Sequence, residues 1–125
     1  MARVMAVCLD VMDRPWCWGA ADCCTAACDV FLRLHGIDPM APLRGRYDSR
    51  VGALRAIALE GGWKKMAQGL ADRAGLVASD GRAGDIGLIR VGDTLALGIC
   101  TEFGWVGKSE QGLASSEMVR AWRAA

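Results

Sequence analysis

The chain is poor in the side chain that most often does acid–base work or binds zinc. It holds one histidine, His35, among 125 residues. A lone imidazole leaves a histidine-based zinc site without its partners. Cysteine does not fill that gap, because Cys17, Cys23, Cys24, Cys28 and Cys100 form none of the Cys-x2-Cys pairs of a structural zinc site. An excess of one charge is missing too. Fifteen basic and 14 acidic residues leave a net charge of +1, so there is no footprint for nucleic acid and no polybasic membrane patch. No apolar run approaches the roughly 20 residues of a membrane span. The segment from Met1 to Met12 contains Arg3 and Asp10 and lacks the continuous apolar region of a secretory signal. Synthesis in the cytoplasm is expected, with free cysteines rather than a disulfide framework.

What the chain has in plenty is small and apolar. Hydrophobic residues make up 53%, enough for one buried core in a single domain, 1–125. Val4, Val7, Cys8, Val11 and Met12 fall at helical spacing, and Pro15 stops that first helix. Trp16 and Trp18 follow, and both are expected as core plugs that fix the angle of the next segment. The central stretch comes next. Asp22 stands where a helix N-cap belongs and Cys23 at the first helical position, so a thiol sits at the positive end of a helix, which favours the reactive thiolate. Cys23, Ala27, Val30, Phe31 and Leu34 are its expected apolar stripe, and Gly36 its C-cap. His35 lies twelve positions on, roughly 18 Å along the helix axis from the thiol, so it cannot serve that thiol as a base. Cys8, Cys24, Cys28 and Cys100 read as small buried hydrophobes. Cys24 and Cys28 share a helix face, but two thiols make a poor site. No metal and no cofactor is expected.

The loop 36–48 gathers Arg44, Arg46 and Tyr47 and is expected to be solvated; the sharper alternative is a binding loop that reaches back over the Cys23 end. Ser49 caps a third helix to Glu60, with Val51, Leu54, Ile57 and Ala58 inward. A fourth follows from Trp63 to Ala74, with Met66, Leu70 and Ala74 on one side, and residues 78–84 read as a polar turn. From Ile86 the pattern becomes strand-like: 86–91, 94–100 and a short 105–108, with Gly112-Leu113 adding a little. Residues 116–123 read as a final helical turn with Val119 and Trp122 inward. Helices first and a small antiparallel sheet after them make an α+β domain.

A cysteine hydrolase needs a thiolate, an oriented base and oxyanion donors. Cys23 and the first N–H groups of its helix supply two of the three, and no histidine lies in the sheet. The run Pro15-Trp16-Cys17-Trp18-Gly19 before Asp22-Cys23 resembles the signature of NlpC/P60-type cysteine peptidases, and Gly84-Asp85-Ile86 resembles their Gly-Asp-Leu strand start. The resemblance implies a papain-like fold, with Cys23 as candidate nucleophile and Asp22 as candidate cap and orienter. The catalytic histidine of that family corresponds to Ala96, ahead of Leu97-Gly98-Ile99. Within the superfamily the chain is most similar to small phage and prophage tail-associated proteins of the DUF6950 type. Their pattern appears here as Trp18-Gly19-Ala20-Ala21-Asp22-Cys23, Gly36-Ile37-Asp38-Pro39, Arg44-Gly45-Arg46-Tyr47, Gly61-Gly62, Gly84-Asp85-Ile86, Gly112-Leu113 and Trp122.

That resemblance implies a tail-tip or tail-assembly protein of a virion, with an inactive peptidase-like fold and other tail or hub proteins as partners. Arg44, Arg46, Tyr47 and Trp105 are the expected contact residues. The enzymatic alternative is a peptidase or amidase that cleaves peptidoglycan peptides with Cys23.

Overall fold

The computed structural model describes residues 2–125; Met1 lies outside the described residues. Four helices precede six strands: α1 (Arg3–Met12), α2 (Cys23–His35), α3 (Arg50–Leu59), α4 (Trp63–Arg73), β1 (Leu76–Ser79), β2 (Ile86–Val91), β3 (Thr94–Thr101), β4 (Gly104–Ser109), β5 (Gly112–Ser115) and β6 (Met118–Ala124). The strands form one antiparallel sheet in the order β1-β6-β2-β3-β4-β5. The domain is therefore α+β, as the sequence predicts.

α2 is the axis of the core. Its buried side chains are Cys24, Thr25, Ala26, Ala27, Cys28, Val30 and Phe31. Ala26 and Ala27 are small enough to let β3 and β4 lie close against it. Phe31 is fully buried, which stabilises the fold by roughly 1.5–3 kcal/mol. The predicted stripe errs at both ends, since Cys23 and Leu34 are only half-buried. Ile86, Leu88, Leu97, Ile99, Val106 and Trp122 meet α1, α2 and α4 from the sheet side.

α1 is capped from far along the chain. It has no local side-chain cap. Instead Glu102, in the turn after β3, accepts from the N–H groups of Val4 at 2.9 Å and Met5 at 3.0 Å. Those bonds hold the Glu102 carboxyl below its usual range. At the other end of α1, Lys108 Nζ donates to Met12 O at 2.8 Å and to Arg14 O. Strand alternation turns Lys108 inward with Val106, so a buried ammonium closes the helix end.

The outer face of the sheet is sealed by side chains lying over glycines. Trp105 rests on Gly87, where a Cβ would stand 2.7 Å from the indole, and Ile89 covers Gly98 and Gly107. Trp105 is thus a half-buried cover over Gly87.

Three element assignments also change. Residues 118–124 are a strand, β6, and not a helical turn, because an open slot between β1 and β2 pairs their backbone. Ala, Met and Arg are good helix formers, but propensity is a weak bias that strand pairing overrides here. Residues 76–79 form β1 where a polar turn was expected from 78. α3 starts at its Ser49 cap as predicted, but Val51, Leu54 and Ala58 face outward and only Ala53 is buried.

Candidate functional site

The site is built on the first turn of α2. Asp22, extended at φ −107° and ψ −174°, is its N-cap. Asp22 Oδ1 accepts from Thr25 N at 2.9 Å, and Thr25 Oγ1 accepts from Asp22 N at 2.9 Å. This is a reciprocal capping box with threonine in the position usual for Glu or Gln. Asp22 Oδ2 accepts from Gly19 N at 2.8 Å and from the Tyr47 hydroxyl at 2.7 Å. At 2% exposure the carboxylate joins the Trp-Gly turn, the helix and the following loop. Both its oxygens are engaged in that joint. Burial, followed by the nearby Cys24 and Asp22, pushes the Tyr47 phenol well above its usual value, so it remains a donor. Gly19 has φ 86°, and a Cβ there would stand 2.2 Å from Tyr47 O, so only glycine lets the loop come this close.

Cys23 is half-buried and borders a cavity of about 500 Å³. Trp16 and Trp18 form one wall, edge to face with centroids 5.0 Å apart and planes at 80°. They are half-buried, so the two rings are a cavity wall and not the expected core plugs. α3 contributes Arg50, Leu54 and Ile57; β3 contributes Thr94, Leu95 and Ala96. Lys108 also lines the cavity. Its burial, then the nearby Arg14, lowers the ammonium's pKa.

The expected residues separate into two groups. Cys23, Asp22, Tyr47 and Ala96 all border the cavity. Ala96 is 4% exposed and pairs with Ile89, so its methyl lies on the sheet face away from α2, while Leu95 packs toward the helix-side core. Neither offers a base. Arg44 is not on the cavity. It spans Asp29 at 2.6 Å and Asp38 at 2.7 Å and ties the loop to α2. Met40 and Leu43 of that loop are buried, so the segment is packed where solvation was expected. Arg46 is exposed.

The cysteines differ sharply. Cys8 is pushed up to about 12 by burial and by Glu102, and burial raises Cys28 as well. Cys24 lies 3.9 Å from Cys23, sulfur to sulfur. That contact, then burial, holds the Cys24 thiol well above the usual thiol range. All six are free, and among the described residues no cluster of three or more His, Cys, Asp or Glu is placed to hold a metal.

His35 is at the far end of α2. Its Nε2 donates to Gly84 O at 2.8 Å, and its ring tilts against Phe31 with centroids 4.4 Å apart. The sequence places His35 beyond reach of Cys23 but does not show this tether. It also misses Lys108, although period-two alternation with Val106 was the available signal. The α3 wall was missed because its stripe reads as a core face.

A family model described as a domain of unknown function (DUF6950) matches residues 1–124. No curated protein matches the chain, and no solved structure does. Among the described residues no helix is long and apolar enough to cross a membrane.

Proposed function

The chain belongs to the DUF6950 family, and from that premise we propose that it is a tail-tip or tail-assembly component of a phage or phage-like particle. In this reading it is an NlpC/P60-like, papain-like domain that keeps the peptidase cleft and has lost hydrolysis. One observation supports it above others. The cavity beside Cys23 has no imidazole on its walls, and the chain's one histidine donates to Gly84 O at the opposite end of α2. A thiol at a capped helix start retains the nucleophile and the N–H donors, but a hydrolase needs a base within hydrogen-bond reach. The proposed partners are other tail or hub proteins, and the proposed location is the virion.

Two experiments test this reading. In a zymogram on cell-wall material, wild type and Cys23→Ala are expected to be equally inert. In a phage that carries the gene, the protein is expected to sediment with tails, and deletion is expected to yield defective ones. Normal tails without the protein end the tail reading. Clearing that disappears in Cys23→Ala moves the chain to the second reading, a cysteine peptidase or amidase acting on peptidoglycan peptides. That reading is favoured by the half-exposed Cys23 in a cavity of substrate size.

A further inference from the structure

The helix α3 carries an apolar face that the domain itself does not use. Val51 is 64% exposed, Leu54 50% and Leu59 81%. At about 100° per residue, Leu54, Ala58 and Val51 form one row, with Arg50 on one flank and Arg55 on the other. The basic residues extend past the helix. Segment 46–65 holds Arg46, Arg50, Arg55, Lys64 and Lys65 against Asp48 and Glu60. Glu60 is already paired with Arg73. All five cations are exposed, and among the described residues none has an ion-pair partner. Arg14, Arg33, Arg44, Arg73 and Arg123 each meet a carboxylate, while among the described residues Arg3, Arg82, Arg90 and Arg120 also have no ion-pair partner but stand singly along the chain rather than in one segment.

We propose that α3 is a docking surface for an acidic amphipathic helix of a partner protein. The partner's apolar row lies along Val51, Leu54 and Ala58, and its carboxylates meet Arg50 and Arg55. This is helix-on-helix recognition with flanking charges that set the choice of partner. A second copy of this chain is the wrong occupant, because α3 against α3 sets arginine against arginine. A flat bilayer is a poorer match as well. Leu54 and Arg50 border the concave cavity beside Cys23, which a protruding side chain fills and a membrane surface leaves empty. The base of α3 is firmly held, through the Ser49 cap and the Tyr47 bond to Asp22, so the surface is pre-formed. This inference stands on α3 alone and does not need the tail reading.

The test uses the whole chain and two synthetic helical peptides, fluorescein-labelled, with the same leucine row and either glutamate or lysine flanks. By anisotropy the glutamate peptide is expected to bind at least tenfold tighter. The double variant Arg50→Glu/Arg55→Glu is expected to reverse that preference, and Val51→Asp/Leu54→Asp to abolish binding of both. All four positions are exposed, and circular dichroism melts verify that each variant folds. Absence of binding, equal binding of both peptides, or a preference unchanged by charge reversal overturns the proposal. So does binding to phosphatidylglycerol vesicles in place of the peptide, or a dimer of the free chain that Val51→Asp breaks.

Discussion

At one end of α2 the Cys23 thiol stands half-exposed beside a cavity of about 500 Å³. At the other end the His35 imidazole is tethered to Gly84 O. The residues around the two ends are used differently. Around Cys23 the buried polar groups are turned inward on Asp22, which holds three segments together and leaves the space above the thiol clear. Around His35 they close on the sheet. Gly84 N donates to Cys100 O at 2.8 Å, Cys100 N donates to Asp85 O at 2.9 Å, and Asp85 takes bonds from Arg123, Arg82 N and Ser79. One helix therefore has an end built for concavity and an end built for cohesion. The chain spends its single imidazole on cohesion.

The largest effect is expected at the open end. Asp22→Ala removes the helix cap and orphans the Gly19 N–H and the Tyr47 hydroxyl, at a cost of roughly 3–5 kcal/mol in urea unfolding. A loss under about 1 kcal/mol would mean that the three segments hold together without their shared carboxylate. Next in size is the closed end in acid. Burial alone would raise the Asp85 pKa, but bonds from Arg123, Arg82 N and Ser79 hold it below the usual carboxylate range. A depressed folded-state value gives stability that is present above the unfolded pKa, about 3.9, and lost as pH falls through the folded one. Tryptophan fluorescence is expected to show stability falling below about pH 4. Asp85→Asn is expected to cost roughly 2–3 kcal/mol at neutral pH and to flatten the acid limb. An acid limb of unchanged slope in Asp85→Asn would place the acid sensitivity elsewhere.

The same contrast separates what the sequence discloses from what it withholds. The start of α2 is legible because its cap is local: Asp22 bonds Thr25 N and Gly19 N, each three positions away. Gly36 at the other end is legible for the same reason, with φ 73° and its N–H returned to Leu32 O. The hairpin β2–β3 is legible because Gly92-Asp93 separates two apolar runs. Illegible features depend on partners far along the chain. Glu102 caps α1 across 98 positions, Lys108 closes it across 96, and His35 meets Gly84 across 49. β6 takes its strand form from the slot between β1 and β2, which residues 116–123 alone cannot announce. α3 misleads in the opposite direction: its apolar periodicity is real, yet Val51, Leu54 and Leu59 face outward rather than into the core. At the site, Asp22 and Cys23 are readable from local chemistry. The wall made by Trp16, Trp18 and α3 is not, because period and burial give no sign of a cavity.

A smaller effect is expected at His35. His35→Ala removes one hydrogen bond at a solvent-facing position and is expected to cost about 0.5–1 kcal/mol. The alkylation rate of Cys23 by iodoacetamide is expected to remain within about twofold of wild type, since the side chain lies roughly 18 Å away along the helix. A large drop in that rate would mean that the two ends of α2 communicate.

The smallest effect, and the one that most sharpens the contrast, is at Cys24. Its sulfur lies 3.9 Å from that of Cys23, and it is 5% exposed. The contact and the burial both favour its thiol form, so Cys24 keeps its proton at neutral pH and meets the Cys23 sulfur as a thiol. A thiol is a weak donor, so the effect on Cys23 is modest. Cys24→Ala is expected to slow alkylation of Cys23 at pH 7 by about threefold, near 0.6 kcal/mol. Cys24→Ser, which restores a donor of similar size, is expected to recover most of the rate. The charged and titratable groups around the cavity are Asp22, Tyr47, Arg50, Lys108 and Glu110, and all are unchanged in these variants. If alanine and serine give the same profile as wild type, the 3.9 Å contact is packing alone. The reactivity of Cys23 then comes from the helix end and the cavity.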